Sequence, residues 1–386
     1  MMKNNQDFLE FLEKDSLLSS ILRKKDQYKV QIIYTQINRN ENNKPNFKNF
    51  EFNVNNQYFY PASTVKFPLT ILTLQRLNEL KDKGINRTTT INFGAEFSGQ
   101  TSTTTEPQSE NNNPTLENYI KQILLVSDNE SFNRLYEFLG QEYINHQLHQ
   151  KGYQQTQIRH RLNIFLTNEE NAATNPVKFL DKEGKTIYSE PVKISKFNFE
   201  DRSDSVGKAY YKNGKLVNEP MDFSSKNRMP LHEFHSIVQN LVFPSAKSFK
   251  ISDDDRKFLL KYMSMFPQES HFPTYDKEKY DAVAKFLFYG AEKDKKPKHI
   301  RIFNKVGNAY GQLTDSIYFT DFDSNIEFLL SATIYCNKDE TLNDDKYDYE
   351  TIGFPFMKRL GKIFYEYEKN RKKNYAPNLE EFKFSY

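Results

Sequence analysis

A serine and a lysine one helical turn apart are the first residues in this chain whose types and spacing could do chemistry. In Phe59-Tyr60-Pro61-Ala62-Ser63-Thr64-Val65-Lys66 they stand three positions apart, where a loop becomes a helix. That spacing puts both side chains on one helical face. A serine hydroxyl is a weak nucleophile unless a base lies within hydrogen-bond reach. A lysine can be that base only if burial or a neighbouring cation depresses its pKa. The head of a helix also leaves backbone N–H groups unpaired near Ser63, suited to an oxyanion. Ser205-Val206-Gly207-Lys208 carries the same spacing in a loop, so the pair alone is a weak signal. What distinguishes the first copy is its seat before a long apolar helix.

Two further patterns follow in order. Ser127-Asp128-Asn129 occurs once, between two helical patterns, where the same residue types would also serve simply as a helix N-cap. Lys305-Val306-Gly307, followed by Asn308, closes a strand next to a second strand. The other Lys-x-Gly copies, at Lys182 and Lys212, fall in hairpin turns.

The order Ser-x-x-Lys, Ser-Asp-Asn, Lys-x-Gly resembles that of the penicillin-recognising serine hydrolases. Within them the chain is most similar to the class A β-lactamase type of domain, over roughly residues 20–170 and 295–370. The resemblance implies that Ser63 is the acylated nucleophile and Lys66 its proton partner. Ser127 would relay a proton to the leaving nitrogen, Asn129 would bind a substrate amide, and Lys305 would keep the potential positive and attract a carboxylate. Gly307 and Asn308 would border the substrate, with the backbone N–H groups of Ser63 and Asn308 forming the oxyanion hole. Two departures stand out. Val306 replaces the hydroxyl residue that normally lies between lysine and glycine. Class A enzymes also activate a deacylating water with a glutamate after the Ser-Asp-Asn helix. Residues 158–175 offer only Glu169 and Glu170, in a different local pattern, with exposed loop carboxylates as the plain alternative.

Three readings follow. The leading one is a serine hydrolase or acyltransferase that forms an acyl-enzyme on Ser63 with Lys66 as proton acceptor. Its substrate would be an amide or ester, peptide-like, peptidoglycan-like or a β-lactam. A second is a true class A β-lactamase using Glu169 or Glu170. A third is a non-catalytic binding or scaffold protein that keeps the fold. No cofactor is expected. His146 and His149, and His232 and His235, could each share a helical face, but neither pair has an obvious third ligand.

The elements that must position these residues are legible in the periodicities. Asp7–Lys24 reads as one amphipathic helix, and Tyr28–Ile37 and Phe47–Val54 as strands. Helical patterns cover Ser63–Lys83, Leu116–Val126, Glu130–Leu139, Tyr143–Gln150, Leu231–Leu241, Asp253–Met265, Lys277–Tyr289 and Phe354–Arg371. Strands recur at Ile300–Lys305, Asp315–Thr320 and Ile326–Tyr335. Val177–Tyr188 and Tyr210–Val217 form two similar hairpins around Lys-x-Gly-Lys. The expected fold is α+β: an antiparallel sheet built from both chain ends and flanked by helices, with a helical part at about 63–174. Residues 20–372 would form the hydrolase-like domain and 175–290 a hairpin-rich insertion.

Composition limits the alternatives. The 54 Lys+Arg nearly cancel 51 Asp+Glu, which argues against nucleic acid as partner. No apolar run approaches the ~20 residues of a membrane helix. One cysteine, Cys336, forms no internal disulfide and reads as packed and inert. The N-terminus has no apolar signal core. The chain is therefore expected to be cytoplasmic if that end is native, or periplasmic or otherwise exported if a signal has been removed.

Overall fold

In the computed structural model, which describes residues 2–54, 57–245 and 249–386, the apolar alternation at both chain ends resolves into one sheet. Its strands are β1 (Gln31–Arg39), β2 (Pro45–Phe52), β3 (Ile300–Ala309), β4 (Gln312–Asp321) and β5 (Ile326–Tyr335). The order is β3-β4-β5-β1-β2, antiparallel throughout. β1 pairs with β5, so the N-terminal hairpin completes a sheet begun near the C-terminus. β4 and β5 are buried along their whole length, as expected of strands covered on both faces.

One face carries Ile302, Ile317, Phe328 and Leu330. It packs under α1 (Asn5–Glu13), α2 (Ser16–Leu22) and, through Phe356, Leu360 and Phe364, the C-terminal helix Phe354–Asn370. The single helix expected over Asp7–Lys24 is two, because Asp15 turns its carboxylate onto Leu18 N and caps a new start.

The opposite face carries Phe303, Tyr318 and Leu329 and packs on a larger helical core. That core contains α3 (Lys66–Glu79), α4 (Leu116–Val126), α5 (Asn129–Leu139), α6 (Gln141–Gln150), α8 (Leu231–Val242) and α9 (Asp253–Ser264), with the short α7 (Asn168–Ala172) on its margin. The C-terminal helix is α10. From the span 175–290, Val177 and Phe179 of the first hairpin and Phe234, Val238, Leu259 and Met263 of α8 and α9 all sit in this same core.

Lys277–Tyr289 is not helical but a series of turns. The N–H groups of Phe286 and Leu287 donate to buried Asp315 Oδ2 on β4 rather than to carbonyls four residues back. Tertiary bonding overrides the local helical pattern. Cys336 is buried, and burial pushes its thiol pKa up, in line with a packed side chain. Among the described residues no helix is long and apolar enough to cross a membrane.

Candidate functional site

Ser63 lies in a one-turn 3₁₀ segment, Ala62–Val65, that leads directly into α3. Ala62 before it has φ 47, a left-handed backbone that an alanine adopts only when the surroundings impose it. Thr64 locks the turn, its N and Oγ1 both donating to Pro61 O at 3.0 and 2.6 Å. Lys66, first residue of α3, is fully buried. Its Nζ donates to Ser127 O at 2.5 Å, to Asn129 Oδ1 at 2.7 Å and, more distantly, to Ser127 Oγ at 3.4 Å. Ser63 itself is half-buried, and its Oγ has no hydrogen-bond partner among the described residues.

Ser127, Asp128 and Asn129 form the junction between α4 and α5, and each has a separate task. Ser127 ends α4 in the left-handed region, φ 61. Asp128 caps α5, accepting from Ser131 N at 2.7 Å. Asn129 gives its amide oxygen to Lys66. The N-cap reading of this tripeptide therefore holds for Asp128, while its two neighbours turn toward the lysine.

Lys305 reaches the same junction from β3, the edge strand. Its Nζ donates to Ser127 Oγ at 2.7 Å and to Val306 O at 2.8 Å. The alternation of a strand puts Lys305 and Gly307 on one face and Val306 on the other. Val306 is packed with Ile302, Leu313 and Ile317 behind the sheet. A Cβ on Gly307 would lie 2.6 Å from Pro61 O and 2.9 Å from Thr64 N, so glycine is what lets β3 press against the Ser63 turn. Asn308, next along, is exposed.

Burial sets the electrostatics. It pushes the Lys66 pKa from 10.5 down to about 7, against a weaker pull upward from Asp128. Burial, and then the Lys66 charge, hold Lys305 well below the ordinary range. Ser127 Oγ is in reach of both amines, so its own proton remains available for a third partner. The amide nitrogen of Asn129 has no partner among the described residues. The group can accept a proton at Lys66, pass one through Ser127 and donate a hydrogen bond from Asn129.

Glu169 and Glu170 are not brought to this cluster. Glu170 closes a capping box with Thr167 and accepts from Ser98 Oγ at 2.6 Å. Glu169 faces a separate cavity. Neither makes a hydrogen bond or ion pair with Ser63, Lys66, Ser127 or Asn129. The histidines are used otherwise: His146 bonds Gln150, His149 bonds Thr156 O, and buried His235 bridges Thr35 and Ser331. No group of three or more metal-ligating side chains occurs among the described residues.

Two supports escape sequence reasoning. Behind β3, buried Lys285 donates to Met263 O, Ile302 O and Asn304 Oδ1, while Asn304 Nδ2 donates to Asp315. These fix the strand carrying Lys305, yet no local pattern links positions so far apart. Tyr60, Phe223 and Tyr310 pack edge-to-face at 5.2–5.6 Å beside the Ser63 turn. No local pattern links these three positions, which lie far apart in the chain.

Comparison with known proteins agrees with this arrangement at the level of family and fold. A family model described as the Beta-lactamase enzyme family matches residues 15–197. No curated protein matches the chain. Among solved structures, the chromosome-encoded beta-lactamase of Vibrio parahaemolyticus superposes with a TM-score of 0.52 at 12% identity, covering 92% of this chain and 100% of that one. The beta-lactamase from Burkholderia phymatum gives 0.51 at 13%, covering 93% and 97%. A class A beta-lactamase reconstructed for the last common ancestor of Gram-negative bacteria gives 0.52 at 12%, covering 92% and 98%. A family match over residues 15–197 and this fold along most of its length make the chain similar to the β-lactamase enzyme family in sequence and to class A β-lactamases in fold.

Proposed function

We propose that the protein is a serine hydrolase or acyltransferase of the Ser–Lys type, acting on an amide or ester bond of a β-lactam or peptide-like substrate. The observation that carries this reading is the buried Lys66 amine, held at 2.7 Å from Asn129 Oδ1 and against Ser127. Its depressed pKa leaves a substantial neutral fraction near neutral pH. Neutral Lys66 takes the Ser63 proton as Oγ attacks the carbonyl carbon. The Ser63 and Asn308 N–H groups steady the oxyanion. Lys66 returns the proton through Ser127 Oγ to the leaving nitrogen, and an acyl group remains on Ser63 Oγ. Water or an acceptor nucleophile then takes the acyl group and restores the hydroxyl.

The carboxylate at Glu170 is committed to its capping box and to Ser98, which favours slow deacylation over rapid β-lactam turnover. Exposure to a chromogenic cephalosporin with time-resolved intact-protein mass spectrometry tests this. The expected result is an adduct that forms within the dead time and persists. Rapid turnover lost on Glu170→Gln would replace this reading with that of a true β-lactamase using that residue. Ligand binding without an adduct, unaffected by Ser63→Ala, would replace it with a non-catalytic one.

A further inference from the structure

A cavity of about 490 Å³ is lined by none of Ser63, Lys66, Ser127, Asn129 or Lys305. It lies between α7, the start of α6 and the extended segment after the first hairpin. Phe97, Ile194, Phe197 and Phe199 supply apolar walls, and Arg159 and Glu169 supply opposite charges. The volume falls within the roughly 300–1,000 Å³ typical of small-molecule sites. Phe197 and Phe199 are two positions apart on an extended segment, so both rings turn to one side, 4.9 Å between centroids. Ile194 and Phe97 remain substantially exposed.

Neither group is in a direct ion pair among the described residues. Arg159 stacks over Phe199 at 4.3 Å and donates only to the neutral oxygens of Gln157 and Glu200 O. It has no ion pair among the described residues. Burial, and then the like charge of Arg202, press its pKa down to about 10 against a weaker pull upward from Asp201. Glu169 likewise has no hydrogen bond or ion pair among the described residues. A half-buried cation and a carboxylate that line one apolar cavity without pairing suit a ligand carrying both opposite charges.

We propose that this cavity binds a small zwitterion with an apolar body, of the free aromatic or branched amino acid type. Its carboxylate meets Arg159, its ammonium meets Glu169, and its side chain lies among Phe97, Ile194, Phe197 and Phe199. The site shares no lining residue with the Ser63 cluster, and its occupancy does not depend on the hydrolase reading.

Calorimetric titration of the full chain with phenylalanine, 3-phenylpropionate and phenethylamine tests the assignment. Phenylalanine should bind saturably, and each analogue, lacking one charge, should bind about tenfold or more weakly. Arg159→Gln should weaken phenylalanine by a similar factor while leaving phenethylamine unchanged. Glu169→Gln should do the converse, leaving 3-phenylpropionate unchanged. Absence of saturable phenylalanine binding would overturn the proposal. So would equal binding of the three ligands by the wild type, a comparison that needs no variant to fold.

Discussion

The buried amine of Lys66 should leave its mark on stability as well as on chemistry. Its pKa is about 7 in the folded protein, against 10.5 for an ordinary lysine. Above 10.5 the group is neutral in both folded and unfolded chains and contributes no pH dependence. As pH falls toward 7 the unfolded chain binds a proton that the folded one refuses, so stability is lost at about 1.4 kcal/mol per pH unit. Over the whole window the loss is about 5 kcal/mol, an upper figure for a single buried group. Lys66→Met removes this term. It also leaves Ser127 O and Asn129 Oδ1 without their donor, which costs about 1–3 kcal/mol for each acceptor left unpaired. Those two costs offset much of the gain near neutrality, so the net change there is small. The difference in slope is the sharper readout. Between pH 7 and 9 the wild type should gain about 2–3 kcal/mol relative to Lys66→Met. Lys285 and Asp315 are present in both proteins and cancel to first order, whereas Lys305 is freed of the Lys66 charge in the variant, so Lys305→Met is made in both backgrounds to remove its share. Urea unfolding at a series of pH values measures the difference directly. Parallel stability curves for the two proteins would refute a depressed Lys66 pKa, and with it the lysine's fitness as a base.

Other consequences follow from the same geometry. Acylation of the wild type should accelerate as pH rises through about 7, because only neutral Lys66 accepts a proton; a stopped-time adduct assay across pH checks the limb. Gly307→Ala sets a methyl group 2.6 Å from Pro61 O, so β3 must retreat from the Ser63 turn. Such overpacking costs about 1–3 kcal/mol, and misplacement of reacting groups by about 1 Å slows acylation about a hundredfold; thermal melts and adduct kinetics read the two effects. Glu170→Ala should lower the melting temperature through its lost capping box while leaving the acylation rate unchanged, as thermal melts and adduct kinetics would read.

The sheet assembled from both chain ends was readable because β1, β3, β4 and β5 carry apolar patterns that tolerate few alternatives. The meeting of Lys66, Ser127, Asn129 and Lys305 was readable for a different reason. Each belongs to a short pattern whose local structure is self-contained: a helix head, a helix junction and the end of a strand. What stayed hidden depends on contacts between distant segments. Nothing near Phe286 and Leu287 announces that their N–H groups belong to Asp315, so a helical pattern there misleads. The Thr167-x-x-Glu170 pattern marks the capping box, but nothing near Glu170 shows that Ser98, 72 residues away, also bonds its carboxylate. The left-handed backbone of Ala62 also has no glycine to mark it; it is enforced by the packing of β3 on the turn.

The central claim is that Ser63 becomes acylated with Lys66 as its base. Peptide-level mass spectrometry after exposure to a penicillin and, separately, a fluorophosphonate tests it most directly. The account predicts a single adduct on the peptide containing Ser63, absent from Ser63→Ala and slowed severely in Lys66→Ala. An adduct on a different residue, or no labelling of the wild type by either reagent at alkaline pH, would contradict it.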